Sequence, residues 1–224
     1  MMENRFSTMT RSEASVLSTN KVIRNTYMLL SLTLAFSALM AAVSMSMGAP
    51  RLGIVVTLVG YFGLLFATSK FRNSGLGVLF VFALTGFMGF TLGPIISAYL
   101  SMPNGSSIVM QAMAGTAAIF LGLSAYAVTT KKDFSFMGKF LFVGLILLIV
   151  ASLANLFFAI PALSVALSAI AVLIFSAYIL YDISRIVNGG EDNYISATLA
   201  VYLDVYNVFV SLLNLLMAFG GNRD

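Results

Sequence analysis

The sequence predicts an all-α, polytopic membrane protein: a single domain built as a bundle of seven transmembrane helices. Three observations carry that prediction. The chain is 60% hydrophobic and only 9% charged, whereas soluble domains carry about 45–50% apolar and about 25% charged residues, because a folded surface needs polar groups to cover it. Seven apolar runs are each long enough to cross a hydrocarbon core, which takes roughly 17–25 helical residues. The basic residues stand in short gaps between those runs, biased to alternate gaps as in polytopic chains.

The first run, 26–47, follows a polar segment of mixed charge, residues 1–25. That segment lacks the basic stretch and short apolar core of a secretory signal, so the run is expected to be a retained helix behind a cytoplasmic tail. The break at 48–51 holds Pro50 and leads to a second run, 51–69. A gap at 70–74 precedes the third, 75–100. Pro103 marks the next break, 101–106, ahead of 107–129, and a longer gap at 130–137 leads to 138–158. Pro161 divides that run from 162–187, and 188–194 forms the turn into the last, 195–219, leaving 220–224 as a short tail. Proline belongs at such boundaries, since it cannot continue a helix from inside.

Ten of the twelve basic residues fall on the side of the N-terminus if all seven runs cross; only Arg51 and Arg223 fall on the other. The positive-inside rule then sets the N-terminus in the cytoplasm and the C-terminus outside. A six-crossing chain whose last run re-enters is the alternative. The net charge of +4 does not point to nucleic acid, because the basic residues mark loops rather than one binding face. Cysteine and histidine are both absent, which excludes the usual zinc sites and Ser-His or Cys-His catalysis. No cofactor is expected.

The third run carries Gly86, Gly89 and Gly93, the last two at GxxxG spacing, followed by Pro94. Small residues so spaced let helix backbones approach closely in lipid. Pro94 is expected to kink the helix, and a hinge is the second reading of the segment.

Six of the eight acidic residues lie in tails or gaps, but Asp182 and Asp204 lie within apolar runs. An intramembrane ionisable group is a functional hypothesis by default. The two flank the turn at 188–194 at similar distances, which sets them at comparable depth on neighbouring helices. Facing one another in a low-dielectric site, two carboxyls would share a proton. Alternatively, Asp182 reaches interfacial water and pairs with Arg185 one turn on. Tyr181, Tyr202 and Asn207 are candidate supporting residues, and Asn207 and Asn214 share a helix face. Calcium, which wants six to eight oxygen ligands, would find only a weak contact at Asp182 and Asp204. Tyr181-Asp182 and Pro161-Ala162-Leu163 also echo fragments of intramembrane aspartyl proteases. The glycines expected before the second aspartate are missing, however, and the Pro-Ala-Leu precedes both acids.

The run from Gly86 to Ile96, the Tyr181-Asp182 pair and Tyr202-Leu203-Asp204 resemble the Bax inhibitor-1 family. Residues 17–27 and 189–195 resemble its bacterial, YccA-like branch. The resemblance implies a seven-helix bundle with the last helix at its centre, in a bacterial inner membrane. It further implies one of two roles without catalysis: modulation of the ATP-dependent membrane protease FtsH, or a pH-sensitive calcium leak gated by an aspartate pair matching Asp182 and Asp204. Leak-type members are also expected to engage that pair with an arginine in helix two, where this chain has only Arg51 and Lys70, at the ends of the run.

Overall fold

The computed structural model describes the backbone of residues 3–220 and side chains from Leu17 onward. It is all helical: α1 Glu3–Ser46, α2 Ile54–Phe71, α3 Gly75–Leu100, α4 Gly105–Thr130, α5 Gly138–Phe158, α6 Pro161–Val187 and α7 Tyr194–Gly220, with a 3₁₀ turn at Ser135–Met137 before α5. All seven contain a stretch long and apolar enough to cross a bilayer. Six of the expected spans match to within a few residues. The first does not, because α1 begins at Glu3 and runs unbroken through Lys21 and Arg24 into the apolar run. Lys21 and Arg24 are exposed on that stretch, where long cationic side chains carry their charge to the interface. The side chains of Arg5 and Arg11, and all of Arg223, lie outside the described residues.

α7 is one unbroken helix of 27 residues, about 40 Å at helical rise, and so long enough to cross in full. It packs against α1, α3, α4 and α6, which places it at the centre. Tyr202, Val205 and Val208 of α7 meet Leu30, Leu84, Ile179 and Ile183 in the largest buried cluster. α2 rests on α3, and α5 on α6, as outer helices. Their outward faces expose Val55, Val59, Phe62 and Phe66, and Phe142, Ile146 and Val150. Apolar patches of that extent are stable only against lipid or a partner.

The glycine stripe of α3 is the seam with α1. A Cβ on Gly89 would fall 2.1 Å from the Ser37 carbonyl oxygen, and one on Gly93 2.5 Å from Ser44 Oγ. Only hydrogen fits at these points, so close packing accounts for the spacing. Pro94 sits inside α3, and the helix continues through it to Leu100.

Three loops are stitched together at one end. Asn193 Nδ2 donates to the Arg72 carbonyl (3.0 Å) and Asn73 Oδ1 (2.8 Å), joining the α6–α7 and α2–α3 loops. Ser184 Oγ donates to the Lys132 carbonyl and accepts from the Phe134 N–H, both at 2.9 Å, tying α6 to the α4–α5 loop. Lys70, Arg72, Lys131, Lys132, Lys139 and Arg185 therefore gather at the end where α1 presents Lys21 and Arg24, while Arg51 lies before α2 at the opposite end.

Candidate functional site

Asp182 and Asp204 occupy the facing sides of α6 and α7, two helices in extensive contact. The α6–α7 turn fixes their register. Asn193 caps α7, its Oδ1 accepting from the Ile195 and Ser196 N–H groups at 3.0 Å, as N-cap asparagines do. Glycine follows Asn188, and Gly189 adopts φ +75°, the left-handed conformation that ends helices. With both helix ends set, the two carboxyls come within hydrogen-bonding reach of each other.

Asp204 is 6% exposed, and no donor of the protein reaches its Oδ2, which is sealed from solvent. Asp182 is half-buried. A carboxylate only accepts hydrogen bonds, so two carboxyls in contact bond to each other only with a proton between them. The arrangement can therefore hold one proton in one bond and lose that bond when both acids ionise. Among the described residues, no three Asp, Glu, His or Cys side chains converge on a point where a metal ion would sit.

The supporting residues expected around the pair are distributed differently. Arg185 sends its guanidinium to the α6–α7 turn: Nη2 donates to the Gly190 carbonyl at 3.1 Å and lies 3.7 Å from Glu191. Its charge is felt at Asp182, but its hydrogen bond and its salt bridge both go to the turn rather than to Asp182. The reason is geometric, since Gly190 brings the chain back under the last turn of α6. Tyr181 lies beneath that guanidinium, 5.6 Å from its ring centroid, and packs over Gly138, where a Cβ would come 2.7 Å from the phenol oxygen. Tyr202 points away from Asp204, because two helical steps rotate a side chain by about 200°. It is 1% exposed; its hydroxyl pairs with Ser37 Oγ at 2.7 Å and donates to the Thr85 carbonyl at 3.3 Å, joining α7 to α1 and α3. Asn207 Nδ2 donates to the Leu203 carbonyl of its own helix at 2.8 Å.

Tyr178 is the aromatic residue closest to the expected role, in electrostatic range of both aspartates and edge-on to Tyr181. It stands one turn before Asp182, on the same face of α6. α2 brings no cation to the pair: Lys70 is exposed in its last turn above the Phe71 ring, and Arg51 precedes the helix. Ser37, Thr85, Ser184 and Asn193, which the sequence reading did not single out, prove to be the polar fasteners of the bundle.

Comparison with known proteins agrees with this architecture. The family model described as "Inhibitor of apoptosis-promoting Bax1" matches residues 19–221. A Pseudomonas aeruginosa protein is 52% identical over 201 residues, covering 90% of each chain. The Escherichia coli K12 protein named "Modulator of FtsH protease YccA" is 50% identical over 202 residues, covering 90% of this chain and 92% of its own. An uncharacterized membrane protein of Vibrio cholerae is 47% identical over 216 residues, covering 96% and 97%. A match along nearly the whole length, on seven apolar helices with α7 at the centre, means that this chain belongs to the Bax inhibitor-1 family.

Proposed function

We propose that this protein is an integral membrane modulator of FtsH, without catalytic activity of its own, that binds the protease within an inner membrane. The observation that carries the reading is the 50% identity, over 90% of this chain, to a relative whose name states that role. Supporting it, the basic end of the bundle is compact and cross-braced. By the positive-inside rule that end faces the cytoplasm and the C-terminus the other side. Affinity purification of the tagged protein from solubilised membranes tests the reading: FtsH is expected in the eluate, and its absence after crosslinking in intact membranes would refute it.

A second reading, a proton-gated cation leak at Asp182 and Asp204, draws on one observation: the two carboxyls stand within hydrogen-bonding reach. A shared proton would hold α6 to α7, and its loss would force them apart. Calcium flux into proteoliposomes that responds to pH, and that changes in Asp204→Asn, is the expected result; no flux at any pH would remove it. The aspartyl-protease reading has weaker footing. Pro161-Ala162-Leu163 opens α6, 21 residues before Asp182 and so roughly 30 Å along the helix, too far to act with the pair.

A further inference from the structure

A cleft of about 740 Å³ lies between α5, α6 and α7, on the half of the bundle away from the basic loops. It begins at the α5–α6 turn, where Ala159 and Pro161 line it, and ends at Phe175 and Asn207. Its walls carry hydroxyls and amides at membrane depth: Ser152 and Asn155 from α5, Ser164 and Ser168 from α6, Ser211 and Asn214 from α7. One water occupies about 30 Å³, so the cleft has room for a column of them. Asn155 Nδ2 donates to Ser164 Oγ at 2.7 Å and Ser168 Oγ to the Ser164 carbonyl at 2.9 Å, which leaves lone pairs and protons of this lining free to meet water, as polar groups at membrane depth do where they line a wet cavity.

Helical geometry extends the cleft's two polar faces to the aspartates. On α7, Asp204, Asn207, Ser211 and Asn214 fall within an arc of about 80° at 100° per residue. On α6, Ser164, Ser168, Phe175, Tyr178 and Asp182 fall within a similarly narrow arc. Asn207, at the cleft floor, is one turn from Asp204. Phe175, also at the floor, packs on Tyr178 with ring centroids 6.4 Å apart, and Tyr178 is in electrostatic range of both acids. Beyond this aromatic pair stands Asp204 Oδ2, sealed and without a donor.

We propose that this cleft is an aqueous half-channel that brings water and protons to the Asp182–Asp204 pair from the end opposite the basic loops, with Phe175 and Tyr178 as its constriction. Apolar rings that narrow a wet path gate it by dewetting. The charged and titratable groups facing the pair are Tyr178 and Arg185 on α6 and Glu191 on the turn. Of the tyrosines on the other packed helices, Tyr27 of α1 bonds Ser124 and Tyr126 of α4 packs on Phe134, while Tyr99 of α3 donates at 2.5 Å to Asn214 on the cleft wall. Along the cleft the polar lining comes from α5, α6 and α7. This inference stands on the cleft and holds whether or not FtsH is bound.

The chain has no cysteine, so single-cysteine variants of the full protein report water directly. Ser168→Cys and Ser211→Cys probe the cleft, Ser152→Cys repeats the measurement from α5, and Leu173→Cys, at a site 71% exposed on the lipid side of α6, is the control. A charged, membrane-impermeant methanethiosulfonate is applied to spheroplasts and, separately, to inverted membrane vesicles. Because only the thiolate reacts, and hydrocarbon suppresses it, the cleft thiols should react about tenfold or more faster than the control. That reaction is expected in spheroplasts alone. Tyr178→Cys should be inert alone and reactive in a Phe175→Ala background. Cleft thiols no faster than Leu173→Cys from either side would mean a dry or lipid-filled cleft and overturn the proposal. Equal labelling from the basic-loop side, or Tyr178→Cys reacting at the same rate with Phe175 present, would overturn it as well.

Discussion

Replacing Gly89 by alanine asks whether the α1–α3 seam is set by the missing side chain. The new methyl would stand 2.1 Å from the Ser37 carbonyl oxygen and 2.8 Å from both Ser37 C and Oγ. Two of those three atoms are backbone and cannot rotate away, so α1 and α3 must separate by about an ångström. Overpacking of that kind costs about 1–3 kcal/mol, and rigid neighbours place this site at the upper end. Separation also strains the Ser37–Tyr202 hydrogen bond, and interhelical bonds in membranes average about 0.6 kcal/mol and reach about 1.7. The expected loss is about 3 kcal/mol, roughly a hundredfold in the folding equilibrium. Equilibrium unfolding in mixed micelles, followed by circular dichroism, measures it. Gly63→Ala is the internal control: it lies within α2, no atom beyond its chain neighbours and its own helix backbone lies within 4 Å of its Cβ position, and helix propensity favours alanine there by up to about 1 kcal/mol. If Gly89→Ala is as stable as Gly63→Ala, the seam does not depend on glycine and the packing argument fails.

Other consequences are as direct. Tyr202→Phe removes both bonds from α7 to α1 and α3 and should lower stability by about 1–2 kcal/mol, seen as a fall in the melting temperature. Asp204→Asn replaces an acid–acid contact by an amide that donates without a shared proton, so a variant melting curve should depend less on pH. The wild type should lose relative stability as pH rises and the pair ionises, since two charges then face each other; an identical pH profile in both proteins would contradict the shared proton. Outside the membrane, Asp133 accepts from the Ser135 N–H at 2.8 Å, and hydrogen bonds from Ser135 hold its carboxyl below the usual aspartate value. That capping contribution is present at neutral pH and is lost only as pH falls through the lowered value. Hydrogen-exchange protection at Ser135 should thus persist into acid in wild type and be absent from Asp133→Ala.

The helices were legible because their signal is large: apolar runs of 18 or more residues leave few alternatives in water or lipid. The exception, α1, shows the limit of that signal. Lys21 and Arg24 mark the polar side of the expected boundary at residue 26, yet the helix passes them, since exposed cations are tolerated on a helix at the interface. The aspartates were legible as a pair because helical rise and a short turn fix depth. Their neighbours were harder to assign. Tyr202 is two residues from Asp204 in sequence but on the opposite face, a separation that angular spacing would have revealed. Arg185 turned on the path of the Gly189-Gly190 turn, which composition does not specify. Ser184 and Asn193 act through bonds to other loops that no local pattern announces.

FtsH reconstituted in proteoliposomes with a membrane-protein substrate tests the central claim most directly. Substrate loss with ATP is followed over time, with this protein absent, present as wild type, or replaced by an unrelated seven-helix protein at equal density. The account predicts that the wild type, and not the unrelated protein, slows degradation in proportion to its amount. Degradation at the same rate in all three membranes would contradict it.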